Sequence, residues 1–256
     1  VLGNVFAKAT AVRELKLAGF MGCWNFGNMI SANTAGFNAF LSGRLPKERG
    51  AALRAFAAAY FPGGDPAKIA AGWLKFGEAM DHYPFSIPML YSGPVNFAFV
   101  LPTEPGPLTG KPVGRSWLLD ERGDDLAPAL VDYTADEAVT GFSELAAIWR
   151  EGLDLYGPAL GGSDHARSEW NTARVCYHAF RSAANFCRIY RLRLDWSEAC
   201  LPEFRAIAAD EAANLEAVLP ILESDPRFGY HIEAHGYQYD PAAVRARLEK
   251  LKLFAK

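Results

Sequence analysis

Apolar residues recur along most of the chain at the spacing of an α-helix. The clearest example follows Asp65-Pro66, a pair that suits the cap and the first turn of a helix. The apolar positions after it are four, three, four and three residues apart: Ile69, Trp73, Phe76, Met80 and Tyr83. This spacing places them on one face and predicts a helix that ends before Pro84, because the residue preceding a proline is disfavoured in helices.

Similar patterns predict six further helices. Two of them begin at capping boxes, Thr134 with Glu137 and Asp195 with Glu198. The other starts are near Val5, Pro46, Asp164 and Asp240. Between Phe85 and about Val131, in contrast, seven prolines and several glycines exclude a regular helix. We expect a long ordered loop or a set of short extended pieces there, and loops of this length are often functional.

One apolar run has no helical period. It is Gly19-Phe20-Met21-Gly22-Cys23-Trp24, and it ends in Asn25-Phe26-Gly27-Asn28. A short apolar run between turn residues predicts a buried strand. The predicted fold is therefore mainly α, a helical array or bundle with one short N-terminal strand-bearing α/β edge and a long Pro-rich loop.

The composition excludes several classes of function. A net charge of -3 and a pI near 6.0 give no overall attraction to nucleic acid or to anionic lipid, so neither is an expected partner. No stretch approaches the roughly 18 apolar residues of a membrane span, and the start lacks a signal-peptide pattern. The four cysteines form no CxxC pair and are expected to be reduced, which favours a cytoplasmic location. Because Val1 lies within an amphipathic pattern, we expect a fragment or an excised domain.

The end of the predicted strand is the first candidate binding site. Trp24 and Asn25, with Asn28 nearby, would place an aromatic plate and amides at a carboxyl end, where α/β folds bind ligands. Tryptophan suits a sugar face, and asparagine suits hydroxyl groups. Alternatively, Trp24 is a core residue, and Asn25 and Asn28 cap the next helix.

A second group lies at the start of the Pro-rich segment. Asp81 and His82 end a helix and combine a carboxylate with a group that titrates near neutrality, which suits acid/base work or complements the helix dipole. Tyr91 and Asn96 follow among prolines and glycines. They indicate either a rigid ligand-facing loop or a cover over the core.

Two patterns nearer the C-terminal end bear on metal or charge chemistry. His231 and His235 have the i, i+4 spacing of zinc ligands, but Glu233 stands midway between them, unlike in zinc hydrolases. We expect no metal there, although Glu233 and His235 remain candidates for ligand contact. Glu211 lies near the apolar stripe of its helix, and we expect it at the edge of that stripe, because buried carboxylates need partners.

Four arginines recur every seven residues along the longest predicted helix, namely Arg167, Arg174, Arg181 and Arg188. Such a face can bind an anionic polymer or phosphate. Since the chain has 29 acidic residues, ion pairs between helices are the preferred interpretation.

Three stretches together resemble the C-terminal part of bacterial (β/α)8-barrel glycoside hydrolase-like proteins, which carry a helical domain after the barrel. They are GFMGCWNFGN from Gly19, WLKFGEAMDHYPFSIPMLYSGP from Trp73, and the run from Asp210 to Tyr239. The resemblance implies a late barrel strand that ends at Trp24 and Asn25, with Tyr91 and Asn96 near a sugar site. It also implies that residues 1–45 end a barrel-like unit, 46–131 form a helical pair plus loop, and 132–256 form a C-terminal helical bundle.

The sequence therefore predicts the C-terminal portion of a carbohydrate-active, glycoside hydrolase-like protein. It would contribute to a sugar-binding cleft and a helical scaffold, bind a carbohydrate ligand, use no cofactor, and lack the earlier barrel strands. No catalytic residue is assigned, because the acid and the nucleophile of such barrels usually lie on those earlier strands. The alternative is a non-catalytic helical module that binds carbohydrate or another protein.

Overall fold

The computed structural model describes residues 1–21, 31–114, 122–231 and 236–255, and this part of the chain is mainly α-helical, as the apolar spacing predicts. The α-helices in it are α1 (Leu2–Glu14), α2 (Ala32–Leu41), α3 (Arg49–Tyr60), α4 (Pro66–Met80), α5 (Ile87–Ser92), α6 (Ala127–Leu130), α7 (Ala135–Tyr156), α8 (Asp164–Leu194), α9 (Leu201–Ser224) and α10 (Pro241–Phe254). Short 3-10 turns at Gly157–Ala159 and Glu198–Cys200 precede α8 and α9. None of these helices is both long and apolar enough to cross a bilayer.

Side-chain caps set several of the helix starts. Asp65 accepts hydrogen bonds from the backbone N–H groups of Ala67 and Lys68, and Asp240 accepts one from Ala243, as the Asp-Pro pairs predict. Thr134 and Glu137 form the predicted box: the Thr134 N–H donates to Glu137 at 2.7 Å, and the Glu137 N–H donates to Thr134 at 3.1 Å. The box predicted at Asp195 is wrong, because a 3-10 turn, Glu198–Cys200, follows Ser197 without a side-chain capping bond, and α9 begins only at Leu201.

The chain forms two units. Unit 1 contains Val1–Asp81 and Ala147–Arg174, and unit 2 contains His82–Ala146 and Val175–Lys256. The boundary falls inside α7 and inside α8, so each of these helices contributes residues to both units. The predicted divisions at residues 45 and 131 stay a prediction.

Aromatic side chains fill the core of unit 1. Phe56 stacks on Trp73 with ring centroids 5.6 Å apart, and Phe76 stacks on Trp149 at 4.4 Å. Offset stacked rings add stabilisation beyond the burial of their surface. α4 and α7 approach closely at Gly72, where an added Cβ would lie 2.9 Å from Cβ of Tyr156. Only glycine fits this contact without a shift of one of the two helices.

Aliphatic side chains of α8, α9 and α10 form the core of unit 2. Its fully buried members include Ile189, Ile207, Leu215, Val218 and Val244. Burial of each such side chain contributes about 1.5–3 kcal/mol. Ala98 and Phe99 of the Pro-rich segment belong to the same core, so that this stretch covers it. One of the two predicted roles of the segment, a cover, is thereby confirmed for these residues.

The Pro-rich segment is part of unit 2, and the expectation that its prolines exclude a helix is wrong for two short stretches. The helices α5 and α6 form there because Pro88 and Pro128 stand in their first turns, where a proline is tolerated. Asp124 and Arg193 form an ion pair at 2.7 Å, and each side chain is only 3% exposed. Asp124 also accepts hydrogen bonds from the N–H and the hydroxyl of Thr109. This pairing fixes two points of the segment against α8.

Little β-structure is present in the described residues. Strands β1 (Tyr230–His231) and β2 (Gly236–Tyr237) pair antiparallel, with Tyr230 opposite Tyr237. The buried strand predicted near the N-terminus is wrong for Gly19 to Met21, because these residues lie in irregular backbone with exposed side chains; the rest of the run lies outside the described residues.

Candidate functional site

The surface of unit 2 carries a hollow with a volume of about 230 Å³ at the Pro-rich segment. Its walls come from α5, from α6 and from the chain around residue 113. The described residues that line it are Pro88, Ser92, Pro112, Val113, Gly114, Asp125, Pro128 and Ala129. Three of the eight are prolines, whose locked backbone makes the walls stiff.

Local hydrogen bonds hold these walls together. Ser86 caps α5 by accepting from the Met89 N–H at 3.0 Å, and its hydroxyl donates to the carbonyl of Ala129 in α6 at 3.1 Å. The Val113 N–H donates to the carbonyl of Asp125 at 2.9 Å, beside an isolated parallel bridge at Pro112. The hollow is therefore preformed.

Asp125 is the ionisable residue among the described lining residues. Its Oδ1 accepts from the Ala127 N–H at 2.9 Å and from the Tyr190 hydroxyl at 3.4 Å. Burial and the nearby Asp125 carboxylate raise the pKa of Tyr190 to about 12, so the phenol stays protonated and able to donate. Oδ2 of Asp125 and Oγ of Ser92 make no hydrogen bond within the described part of the chain. One acceptor and one hydroxyl thus remain for a ligand.

Two of the predicted site residues lie close to this hollow, one on α5 and one just after it. Tyr91 belongs to α5, and its side chain is 38% exposed. Asn96 donates from Nδ2 to the carbonyl of Leu90 at 2.7 Å, which holds the end of α5. Asn96 therefore supports the end of the helix that carries Tyr91.

Asp81 and His82 are not among the described residues that line the hollow. Asp81 is the exposed C-cap of α4 and belongs to unit 1. His82 belongs to unit 2, and its Nδ1 lies 2.7 Å from Oε2 of Glu144. Both side chains of this pair are partly exposed, and exposed pairs contribute at most about 1 kcal/mol.

Five predicted site residues lie outside the described residues: Trp24, Asn25, Asn28, Glu233 and His235. Their proposed roles stay predictions. His231 lies in β1 and is half-buried.

Sequence reasoning misplaced one carboxylate. Glu211 was expected at the edge of α9, yet it is 5% exposed in unit 2. It is buried because three donors reach it: the Ser182 hydroxyl at 2.6 Å, Asn185 at 2.9 Å and Asn214 at 3.4 Å. Burial raises the pKa of Glu211 and outweighs the opposite effect of these bonds.

The polar network continues along α8 and α9. Asn214 donates to the carbonyl of His178 at 3.0 Å, and its Oδ1 lies 2.8 Å from Nδ1 of that ring. Asn185 also donates to Asp210 at 2.8 Å. The cavity at this network measures about 10 Å³, too little for a substrate. The network therefore sets how α8 and α9 pack.

A signal for this network was present in the sequence. His178, Ser182 and Asn185 follow each other at four and three residues, which places them on one face of α8 within an apolar stripe. The matching pair on α9 is Glu211 and Asn214.

The arginine face of α8 splits into several kinds of contact. Arg181 pairs with Asp210 of α9, which confirms an ion pair between helices at that position. Arg167 pairs with Asp164 within α8, and Arg174 lies over the ring of Trp170. These side chains therefore do not form one continuous anion-binding surface.

No group of three or more His, Cys, Asp or Glu side chains is placed to hold a metal ion in the described ranges. Comparison with models of protein families, with curated proteins and with solved structures gave no match for this chain. The site is consequently interpreted from its own geometry.

Proposed function

We propose that this chain binds carbohydrate at the hollow of unit 2 and serves as the helical portion of a carbohydrate-active, hydrolase-like protein. The observation that carries the proposal is a stiff concave surface with one hydroxyl and one carboxylate oxygen among proline rings. Sugars present hydroxyl groups beside C–H faces, and this lining complements both features. Tyr91 adds an exposed aromatic ring on α5, the helix that forms one wall.

The size of the hollow limits the ligand. Its volume of about 230 Å³ lies below the roughly 300–1,000 Å³ of typical small-molecule pockets. We therefore expect it to hold one sugar unit, with any further units extending into solvent.

Complete glycoside cleavage is not assigned to the hollow. Such cleavage uses two carboxyl groups roughly 5–10 Å apart. Asp125 is the one carboxylate among the described lining residues, and its neighbour Asp124 is held in a buried ion pair with Arg193. In this proposal the hollow positions a sugar, and the bond-breaking groups lie elsewhere.

Saccharide titration monitored by NMR, on the chain and on three variants, tests the proposal. Asp125→Asn keeps an oxygen for Ala127 and Tyr190 but removes the charge, and Ser92→Ala removes the free hydroxyl. Since hydrogen bonds to charged groups contribute about 1.5–3 kcal/mol, we expect Asp125→Asn to weaken binding about tenfold or more. Asp132→Asn removes an exposed carboxylate that does not line the hollow and serves as the control.

Two results would contradict carbohydrate binding at this place. One is the absence of chemical-shift changes with every mono- and oligosaccharide tried. The other is binding that Asp125→Asn and Asp132→Asn weaken equally.

The alternative is a non-catalytic module, and two observations favour it. The hollow offers a single carboxylate, which suits binding without cleavage. Phe85, Ile87 and Leu90 are also exposed on or beside α5, as on surfaces that bind proteins. An aryl-glycoside assay distinguishes the two proposals. If the chain binds sugar at the hollow and also releases the aryl group, a purely non-catalytic role is excluded.

A further inference from the structure

Unit 1 contains a second concave site, which is independent of the carbohydrate proposal. It is a groove of about 270 Å³ between α1 and the connection from α2 to α3. The described residues that line this groove are Phe6, Thr10, Arg13, Glu14, Phe40, Leu45, Pro46 and Lys47.

The floor of the groove is aromatic and held in place. Phe6 and Phe40 pack edge to face with ring centroids 5.3 Å apart. Phe40 is 3% exposed and also packs on Phe56 of the unit 1 core at 5.5 Å. An aromatic or otherwise apolar body can therefore rest on a surface that does not need to rearrange.

The rim of the groove carries a net positive charge. Arg13 and Lys47 line it together with a single acidic residue, Glu14. Neither cation makes an ion pair within the described residues, although such pairs are common elsewhere on this chain. Both remain available to an anion.

The absence of a side chain at Gly43 leaves room for the Arg13 guanidinium. Gly43 has φ +72°, and a Cβ placed there would lie 2.7 Å from Nη2 and 2.9 Å from Cζ of Arg13. The guanidinium can occupy this place only because residue 43 has no side chain. Its planar fork is the group that binds a carboxylate with two parallel hydrogen bonds.

Thr10 completes the polar side of the groove. A threonine inside a helix can bond its hydroxyl to a carbonyl of the preceding turn. The Thr10 hydroxyl has no hydrogen bond in the part of the chain that is described, so it can donate to a ligand or accept from one. One turn later on the same helix, Arg13 faces the same space.

We propose that this groove binds a small aromatic carboxylate. The ring lies on Phe6, which the buried Phe40 supports from below, and the carboxylate pairs with Arg13, with Lys47 adding long-range attraction. The volume suits a compound with one ring. Inorganic phosphate shares the charge but not the ring, and benzamide shares the ring but not the charge.

Benzoate is the probe for the test, titrated at constant ionic strength and followed by isothermal calorimetry and NMR. We expect benzoate to bind, while phosphate and benzamide bind at least about tenfold more weakly, since each lacks one half of the recognition. Arg13→Gln should weaken benzoate about tenfold or more, because it removes the charged fork that pairs with the carboxylate.

Lys8→Gln is the matched control, because it removes an exposed positive charge from the same helix outside the groove. Circular dichroism of each variant verifies that unit 1 remains folded. The proposal is overturned if benzoate fails to bind the wild type, if Lys8→Gln weakens benzoate as much as Arg13→Gln, or if phosphate binds as tightly as benzoate.

Discussion

The buried ion pair of Asp124 and Arg193 allows a quantitative test of what holds the Pro-rich segment. Both side chains are 3% exposed, and Arg193 also donates to the carbonyls of Gly106 and Pro107 at 2.9 and 2.7 Å. Asp124→Asn would leave the guanidinium charge buried without its counter-ion. Removal of one partner from such a pair costs about 3–5 kcal/mol, so we expect the variant to lose about 3 kcal/mol of stability.

Urea unfolding followed by circular dichroism measures this loss as a lower midpoint at an unchanged slope. Asp132→Asn, at an exposed position in the same unit, should change stability by less than about 0.5 kcal/mol. A loss below about 1 kcal/mol for Asp124→Asn would refute the argument, because it would mean that the carboxylate is not needed to balance the buried charge.

The same pair predicts a dependence on pH. Burial opposes ionisation of Asp124, but the bonds from Thr109 and the charge of Arg193 outweigh it and lower the pKa of this carboxyl. The stabilisation is therefore complete above the unfolded-state pKa of about 4 and is lost as the pH falls through the folded-state pKa. Asparagine does not titrate, so the variant lacks this acid-induced loss. The difference in stability between the wild type and Asp124→Asn should therefore shrink as the pH falls into strong acid.

Two further variants probe the two cores. Burial raises the pKa of Glu211, so this residue should make the wild type less stable as the pH rises above about 4.3, the ordinary pKa of a glutamate. Glu211→Gln should lack that loss. The prediction is contradicted if the melting temperatures of the two proteins change equally with pH between pH 4 and 8. Gly72→Ala should lower the free energy of unfolding by about 1–3 kcal/mol, because its Cβ would lie 2.9 Å from Cβ of Tyr156. The control Gly162→Ala meets no atom within 4 Å, so it should leave the melting temperature unchanged.

Local signals were sufficient to predict most helix starts. Asp65, Thr134 and Asp240 cap their helices as expected, because a capping bond involves groups within three residues. The start of α9 was misjudged at Asp195, where a 3-10 turn intervenes. The hydrogen bonds of a 3-10 turn join residues three apart, and those of an α-helix join residues four apart. Over three residues the pattern of side chains is nearly the same in both, so the sequence does not distinguish them.

Long-range partners explain what the sequence did not reveal. Glu211 has two plausible positions on α9, and the choice between them depends on donors of α8 that lie 26 and 29 residues away. The hollow depends likewise on a bond between Ser86 and Ala129, 43 residues apart. Tyr91 and Asn96 are candidates that their own segment indicates, and their roles stay predictions. Ser92 and Asp125 become candidates only because the fold brings their two segments together.

The partners of the polar side chains distinguish framework from binding surface in this chain. Glu211 and Asp124 are buried and have several partners each, so a ligand would have to displace existing bonds to reach them. Ser92, Asp125 and Arg13 line open cavities and retain hydrogen-bonding capacity that the described residues do not use. A ligand gains the full benefit of a hydrogen bond only at groups of the second kind. The groove of unit 1 has cations and an aromatic floor, whereas the hollow of unit 2 has a carboxylate among prolines. We therefore expect that a neutral sugar does not displace benzoate from this protein.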